Sequence, residues 1–236
     1  MNFVRKANRL IRKHVLNNGY NNEMATIAKN NFWFIDIPRT SSTSLKRELG
    51  SKYGLIYGKN DTYYNTRGLK HPFPDHRTAQ YMQAQLTEEV WAKMFTFTIV
   101  RNPWDRVVSL YYHRLKRQTV RQDLSFREYV LSYKSPRYSL KESVHCWPQF
   151  YYGAVDFIQD QCGNTIVDFV AKYESRNEDI KYIADKIGYP GLGSTSVNQS
   201  KPTVDYRTFY DEELMNIIKD VYYDDIKMFG YTFDPS

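Results

Sequence analysis

Two short stretches concentrate side chains able to hold a polyanion. The first is Ile37-Pro38-Arg39-Thr40-Ser41-Ser42-Thr43-Ser44-Leu45, where five consecutive hydroxyl residues follow a fork-shaped, permanently charged guanidinium. It lies between the apolar run FWFIDI (residues 32–37) and LKREL, in which Leu45 and Leu49 are four apart. That order reads as buried strand, polar turn and helix. The first N–H groups of a helix lack intrahelical partners, and together with the helix dipole they draw phosphate. The hydroxyls of Thr40, Ser41, Ser42, Thr43 and Ser44 would add donors. The same residues would also serve as a plain polar turn with a Ser or Thr cap. No GxxxxGK[ST] occurs in the chain, so this is not a Walker loop.

The second stretch is Val100-Arg101-Asn102-Pro103-Trp104-Asp105-Arg106, which follows the strand pattern FTFTIV. Asn102 is placed as a helix cap with Pro103 at the first helical position. Arg101 at the strand end, with Ser109 two turns into the helix, can grip a second phosphate. The bland alternative is a structural RNPxxR, with Arg106 paired to Asp105 or to a neighbour. Ligands of open α/β sheets bind beyond the carboxyl ends of strands, which is where both turns sit. Two such turns in one small domain favour the anion-binding reading.

The elements that must position these turns alternate between strand and helix, which implies an α/β fold with a central parallel sheet flanked by helices. Residues 78–93, 126–133, 147–161, 179–187 and 211–229 carry helical patterns, and TIVDFVAKY (165–173) is a third strand candidate. The 236 residues suit a single domain over 23–236, preceded by a basic amphipathic helix within 1–22. Asn17, Asn18, Gly19, Asn21 and Asn22 are expected to break that helix. Its apolar face suits packing on the body or a weak contact with an anionic membrane surface.

Charge is unevenly placed. Residues 1–22 hold five bases and no acid, so of the 33 bases the remaining 28 face 26 acids. Arg101, Arg106, Arg114, Lys116, Arg117 and Arg121 face only Asp105, a single basic focus. A neutral body with one focus suits a compact polyanion and not a nucleic-acid track. Cys146 and Cys162 are too few for a disulfide framework and lack zinc spacing, and they read as reduced thiols of a cytoplasmic protein. No uninterrupted apolar stretch approaches 18 residues. Twenty-one tyrosines are an excess best assigned to half-buried structural positions.

PRTSSTSL resembles the 5′-phosphosulfate loop of sulfotransferases that use 3′-phosphoadenosine 5′-phosphosulfate (PAPS). FTIVRNPWDRVVSLYYH is similar to their 3′-phosphate motif, in the form of the carbohydrate group. The resemblance continues through HRTAQYMQAQL, VAKYES and YDEELMNIIKDVYYDDIKMFGYTF, covering most of residues 32–233. It implies PAPS as sulfuryl donor, no metal, and a P-loop-like phosphate-binding turn. It places Arg39, Thr40, Ser41, Ser42, Thr43 and Ser44 around the 5′-phosphosulfate and Arg101 and Ser109 on the 3′-phosphate. Tyr173 becomes a candidate adenine contact, and Lys201 a residue that closes over the phosphates. The chain departs from the family in having Arg39 where most relatives have Lys, Ser41-Ser42 where they have glycine, and Asp36 where His is frequent. An arginine does not donate a proton near neutral pH, so Arg39 should stabilise charge on the leaving phosphate.

An acceptor hydroxyl is a poor nucleophile and needs a general base. The related carbohydrate enzymes take a His from between the two motifs, which points to His76, with His71 and Glu48 as alternates and a capping role as the bland reading. The activity implied is sulfuryl transfer to a hydroxyl, with carbohydrate favoured by resemblance. Two competing classes are a non-catalytic module binding sulfated or phosphorylated ligands and an atypical nucleotide kinase. The kinase would need a Walker lysine and a Mg²⁺-holding acid after a strand, and neither is evident. The aromatic-rich segments 53–78 and 114–150 are expected to line the site of a saccharide or other small acceptor.

Overall fold

The computed structural model describes residues 20–40, 42–55, 76–134, 152–193 and 204–234. Three parallel strands form the sheet of the described residues: β1 (Phe32–Ile35), β2 (Phe95–Val100) and β3 (Phe169–Lys172), in the order β1-β2-β3. β1 pairs with β2 from Phe32↔Phe95 to Ile35↔Thr98, and β2 with β3 from Phe97↔Phe169 to Val100↔Lys172. All four residues of β1 and five of the six in β2 are buried. Continuous apolar runs, not alternating ones, are what a parallel sheet covered on both faces requires.

Helices connect and cover these strands. α1 (Tyr20–Asn30) precedes β1, and α2 (Ser42–Tyr53), α3 (Ala79–Gln85) and α4 (Glu88–Lys93) separate β1 from β2. α5 (Pro103–Lys116), α6 (Phe126–Leu131) and α7 (Val155–Ile158) lie between β2 and β3, and α8 (Arg176–Ile187), α9 (Glu212–Val221) and α10 (Tyr223–Phe229) follow. One core gathers β1 and β2 with Met24, Ile27, Leu45, Leu49, Ile183 and Ala184. A second joins Trp104, Val107 and Leu110 of α5 to Phe126, Tyr129, Ile217 and Ile218. The two strand–turn–helix units expected from the sequence are present.

Several boundaries differ from the sequence pattern. Asn21 and Asn22, expected to break a helix, lie inside α1. The pattern of 78–93 divides because Thr87 accepts from Val90 N at 3.3 Å and caps a fresh helix, as Thr78 caps α3 by accepting from Tyr81 N at 3.1 Å. That of 211–229 divides at Tyr222, whose side chain is buried in the second core. Within 147–161 the described helix is Val155–Ile158, and β3 occupies four residues of 165–173. Cys146 and the segment 1–19 lie outside the described residues.

Tyrosine serves the packing. Tyr111 donates to Leu124 O at 2.7 Å, Tyr210 to Trp104 O at 2.8 Å and Tyr53 to Ile187 O at 2.9 Å, while their rings meet other rings edge-on. Each buries a large ring without leaving its hydroxyl unpaired.

β3 is joined to β2 at its start by hydrogen bonds exchanged between Thr96 and Asp168, whose N–H also donates to Thr96 O at 2.9 Å. Thr96 N and Thr96 Oγ1 each donate to Asp168 Oδ2 at 2.7 Å, and Asp168 N donates to Thr96 Oγ1 at 3.1 Å. Asp168→Ala should destabilise the protein by about 1–3 kcal/mol, because buried donors lose their acceptor. Urea unfolding checks this, and an unchanged midpoint would refute it.

Candidate functional site

β1 and β2 run parallel, so their carboxyl ends deliver both polar turns to the same edge of the sheet. The first turn leaves β1 through Asp36 and Ile37 and enters α2 at Ser42. Its backbone is held from three directions. Thr40 Oγ1 donates to Ile37 O at 2.9 Å, Arg106 Nε to Pro38 O at 3.0 Å, and Arg101 Nη1 to Arg39 O at 3.2 Å. Three successive carbonyl oxygens, which would repel an anion, are thereby tied to donors. Two of those donors are arginines of the second turn.

Arg39 has φ of 69°, a left-handed conformation uncommon for a residue with a side chain. Its Nε and Nη2 donate to Ser109 Oγ at 3.2 and 3.0 Å, and its Nη1 lies 3.2 Å from His113 Nδ1. No carboxylate pairs with it among the described residues. Burial, and then the charge of Arg101, lower its pKa to about 10, which still leaves it charged at neutral pH. Burial and the charges of Arg39, Arg117, Arg114 and Lys116 push His113 down to about 4, so its Nδ1 is an unprotonated acceptor at neutral pH. Ser109 Oγ accepts from Arg39 and keeps its own proton to donate.

Arg101 forms a two-pronged pair with Asp105, Nε to Oδ2 at 2.7 Å and Nη2 to Oδ1 at 2.8 Å, and its guanidinium lies 4.4 Å from the centre of the Tyr173 ring. Three of its five N–H groups are used, so two remain for an anion. Asp105 is therefore the partner of Arg101, not of Arg106. Arg106 is buried, donates to Tyr152 O at 2.9 Å and lies 4.0 Å from Asp225. Asn102 caps α5 by accepting from Trp104 N at 3.1 Å, as the sequence indicates. Its own N–H donates to Glu174 Oε1 at 2.7 Å, which joins the second turn to the end of β3.

The remaining residues expected from sequence are distributed around these two turns. Ser42 and Ser44 are buried at the start of α2, Thr43 is exposed, and Ser44 Oγ accepts from Arg176 Nη2 at 3.1 Å. His76 Nδ1 is 3.0 Å from Asp36 Oδ2 and 3.0 Å from Asp36 O. Glu48 is buried and accepts from Gly193 N at 2.8 Å, bracing the segment after α8. Ser41, His71 and Lys201 lie outside the described residues. The structure thus brings Arg39, Ser109, Arg101 and Tyr173 into one contact network. Sequence reasoning missed His113 and Arg176. The signal for His113 was its place four residues after Ser109, on the same helical face.

Together these groups offer an anion a cation that pairs with no carboxylate among the described residues, a second with spare donors, a hydroxyl proton and a helix N-terminus. The family model for the sulfotransferase family matches residues 22–232. The chain belongs to the sulfotransferase family. A relative from Archaeoglobus fulgidus, described as an uncharacterized protein, is 38% identical over 100 residues, covering 40% of this chain and 68% of that one. The crystal structure of a sulfotransferase from Alicyclobacillus acidocaldarius matches 88% of each chain at 16% identity, with a TM-score of 0.38. Among the described residues of this sulfotransferase-family chain, no helix is long and apolar enough to cross a membrane.

The depressed pKa of His113 has a consequence for stability. A His that resists protonation in the folded state binds fewer protons than in the unfolded chain between about pH 4 and the ordinary 6.5. Stability from this source is complete above pH 6.5 and is lost as pH falls towards 4. Asp36, held near 2 against its ordinary 3.8, adds a further loss below pH 4. Asn at position 113 retains an acceptor but does not titrate. His113→Asn should therefore flatten the fall in unfolding free energy between pH 6.5 and 4, measured by urea titration. Parallel curves for the two proteins would show that His113 is not buried as described.

Proposed function

We propose that this protein transfers a sulfuryl group from PAPS to an acceptor hydroxyl, on a saccharide, in the cytoplasm. The observation that carries the proposal is the Arg39 guanidinium, held on Ser109 and His113 beside a second arginine and, among the described residues, without a carboxylate of its own. A half-buried cation so placed is stabilised by a bound anion. Arg39, the N-terminal turn of α2 and the segment from Thr40 through Ser41, Ser42 and Thr43 to Ser44 would receive the 5′-phosphosulfate. Arg101 and Ser109 would receive the 3′-phosphate, and Tyr173, stacked on Arg101, would bound the base. Lys201 would cover the phosphates, and the basic helix within 1–22 would rest on an anionic surface.

PAPS, when bound, supplies the sulfuryl group and the phosphate on which negative charge collects as transfer proceeds. Arg39 holds that charge without giving up a proton, and its hold on Ser109 aligns it with the 3′-phosphate subsite. His76, at the exit of β1, takes the proton of the acceptor hydroxyl. Positioning and charge stabilisation of this kind dominate transfer reactions of phosphoryl type. The arrangement around Asp36 favours His76 over Glu48, whose Oε2 is already bound to Gly193 N.

Two measurements test the reading. The desulfated nucleotide 3′-phosphoadenosine 5′-phosphate should raise the melting temperature, since a ligand specific for the native state stabilises by mass action. Adenosine 5′-phosphate should do so much less, and equal shifts would remove the 3′-phosphate assignment. With labelled PAPS and a panel of saccharide acceptors, His76→Ala should lower turnover by roughly a hundredfold or more while nucleotide affinity holds. Nucleotide binding without turnover on any hydroxyl acceptor would point to a binding module.

A further inference from the structure

Asp36 is 2% exposed and stands three residues before Arg39. One of its oxygens, Oδ2, is shared by two partners: the Lys46 ammonium of α2 and His76 Nδ1. The other, Oδ1, is buried and makes no hydrogen bond. His76 Nδ1 therefore faces two acceptors, the Asp36 carboxylate and the Asp36 carbonyl, each at 3.0 Å. A ring nitrogen between two acceptors must carry the proton, which leaves the lone pair of the neutral ring on Nε2. The carboxylate stabilises an imidazolium, whereas the ammonium repels it and competes for the same oxygen.

We propose that Asp36 and Lys46 are opposed positioning residues for His76: sharing one carboxylate oxygen, they fix its proton on Nδ1. The inference rests on the reading of His76 as general base for its catalytic meaning, though not for its electrostatics. Among the described residues, the charged groups that face this site are Asp36 from the exit of β1 and Lys46 from α2. Arg77, next to His76, places its guanidinium over the Trp33 ring, 5.9 Å from its centre. When Nε2 takes the acceptor proton, the new charge is balanced by Asp36. Lys46 limits how strongly it is held, so that the ring can release the proton afterwards. A general base serves best when its proton affinity is matched to the working pH, and one shared oxygen is a simple way to set it.

The test uses the full chain with isotope-labelled histidine rings. The His76 signals are assigned by their disappearance in His76→Gln. At high pH the ring nitrogens of the wild type should report the Nδ1–H tautomer, and an Nε2–H tautomer would overturn the inference. In Lys46→Met the midpoint of the His76 ring titration should rise by about one pH unit, and in Asp36→Asn it should fall by a similar amount. Midpoints that stay fixed, or that move in the same direction, would overturn it. Asp36 is buried and its variant can fail to fold. Lys46→Met, at a partly exposed position, then decides alone, and a midpoint that does not rise is fatal. The acid limb of kcat/KM should follow the ring titrations, with the affinity for 3′-phosphoadenosine 5′-phosphate unchanged in Lys46→Met. If the ring titrations separate as expected while the acid limb stays in place, the positioning stands and His76 is not the base.

Discussion

A loop that is to hold an anion must turn its carbonyl oxygens away, and in this chain that constraint is met by the second turn and not by the loop itself. Pro38 O and Arg39 O are bound by Arg106 and Arg101, and only Ile37 O is satisfied locally, by Thr40. The first turn therefore depends on the second for its shape. The reverse also holds, because Ser109 and His113 of α5 receive the Arg39 side chain. The two motifs are halves of one cradle. The parallel pairing of β1 and β2 is what brings them to a common edge, and the second core, packed against α5, keeps the donors in register.

The arginines of this cradle divide between two tasks by their partners. Arg106 is buried with backbone carbonyls and Asp225, so it serves the fold. Arg101 is fixed by Asp105 on one edge and Tyr173 on one face, which orders its fork while two donors stay uncommitted. Arg39 alone has neutral partners, and its left-handed backbone marks where strain is accepted to place it. A guanidinium already ordered loses less freedom when a phosphate arrives, so binding energy goes into holding the ligand.

Much of this was legible in the sequence, for identifiable reasons. FWFI and FTFTIV are uninterrupted apolar runs, and Pro38 and Asn102-Pro103 mark where they end, so both strand–turn–helix units stood out. The residues proposed to bind phosphate were legible by type, although the same hydroxyls and arginines also suit a capped turn and a structural role, as Arg106 and Thr40 show. The pairing among them was not. Arg106 to Pro38 O, Arg39 to Ser109 and Arg101 to Arg39 O each join residues more than sixty positions apart, and nothing in local spacing encodes such contacts. Asp105 could serve either neighbouring arginine, and only the fold selects Arg101. The helix breaks at Thr87 and Tyr222 were obscured because hydrophobic periodicity continues through a cap that is satisfied by a single hydroxyl or a buried ring.

The departures at positions 36 and 39 belong together. With lysine at 39, as in most relatives the sequence resembles, the leaving phosphate could be met by a group that can give up a proton. Arginine offers charge and geometry but no proton, so in the proposed transfer the balance of protons would fall on the acceptor side. In that proposal the acceptor side is served by His76, whose Nδ1 meets a buried carboxylate oxygen of Asp36 that Lys46 of α2 shares. A base supported by a carboxylate is the complement of a charge stabiliser that cannot act as an acid. Under the proposed function, the two departures would move proton handling from one end of the transferred group to the other, within a stretch of four residues at the exit of a single strand.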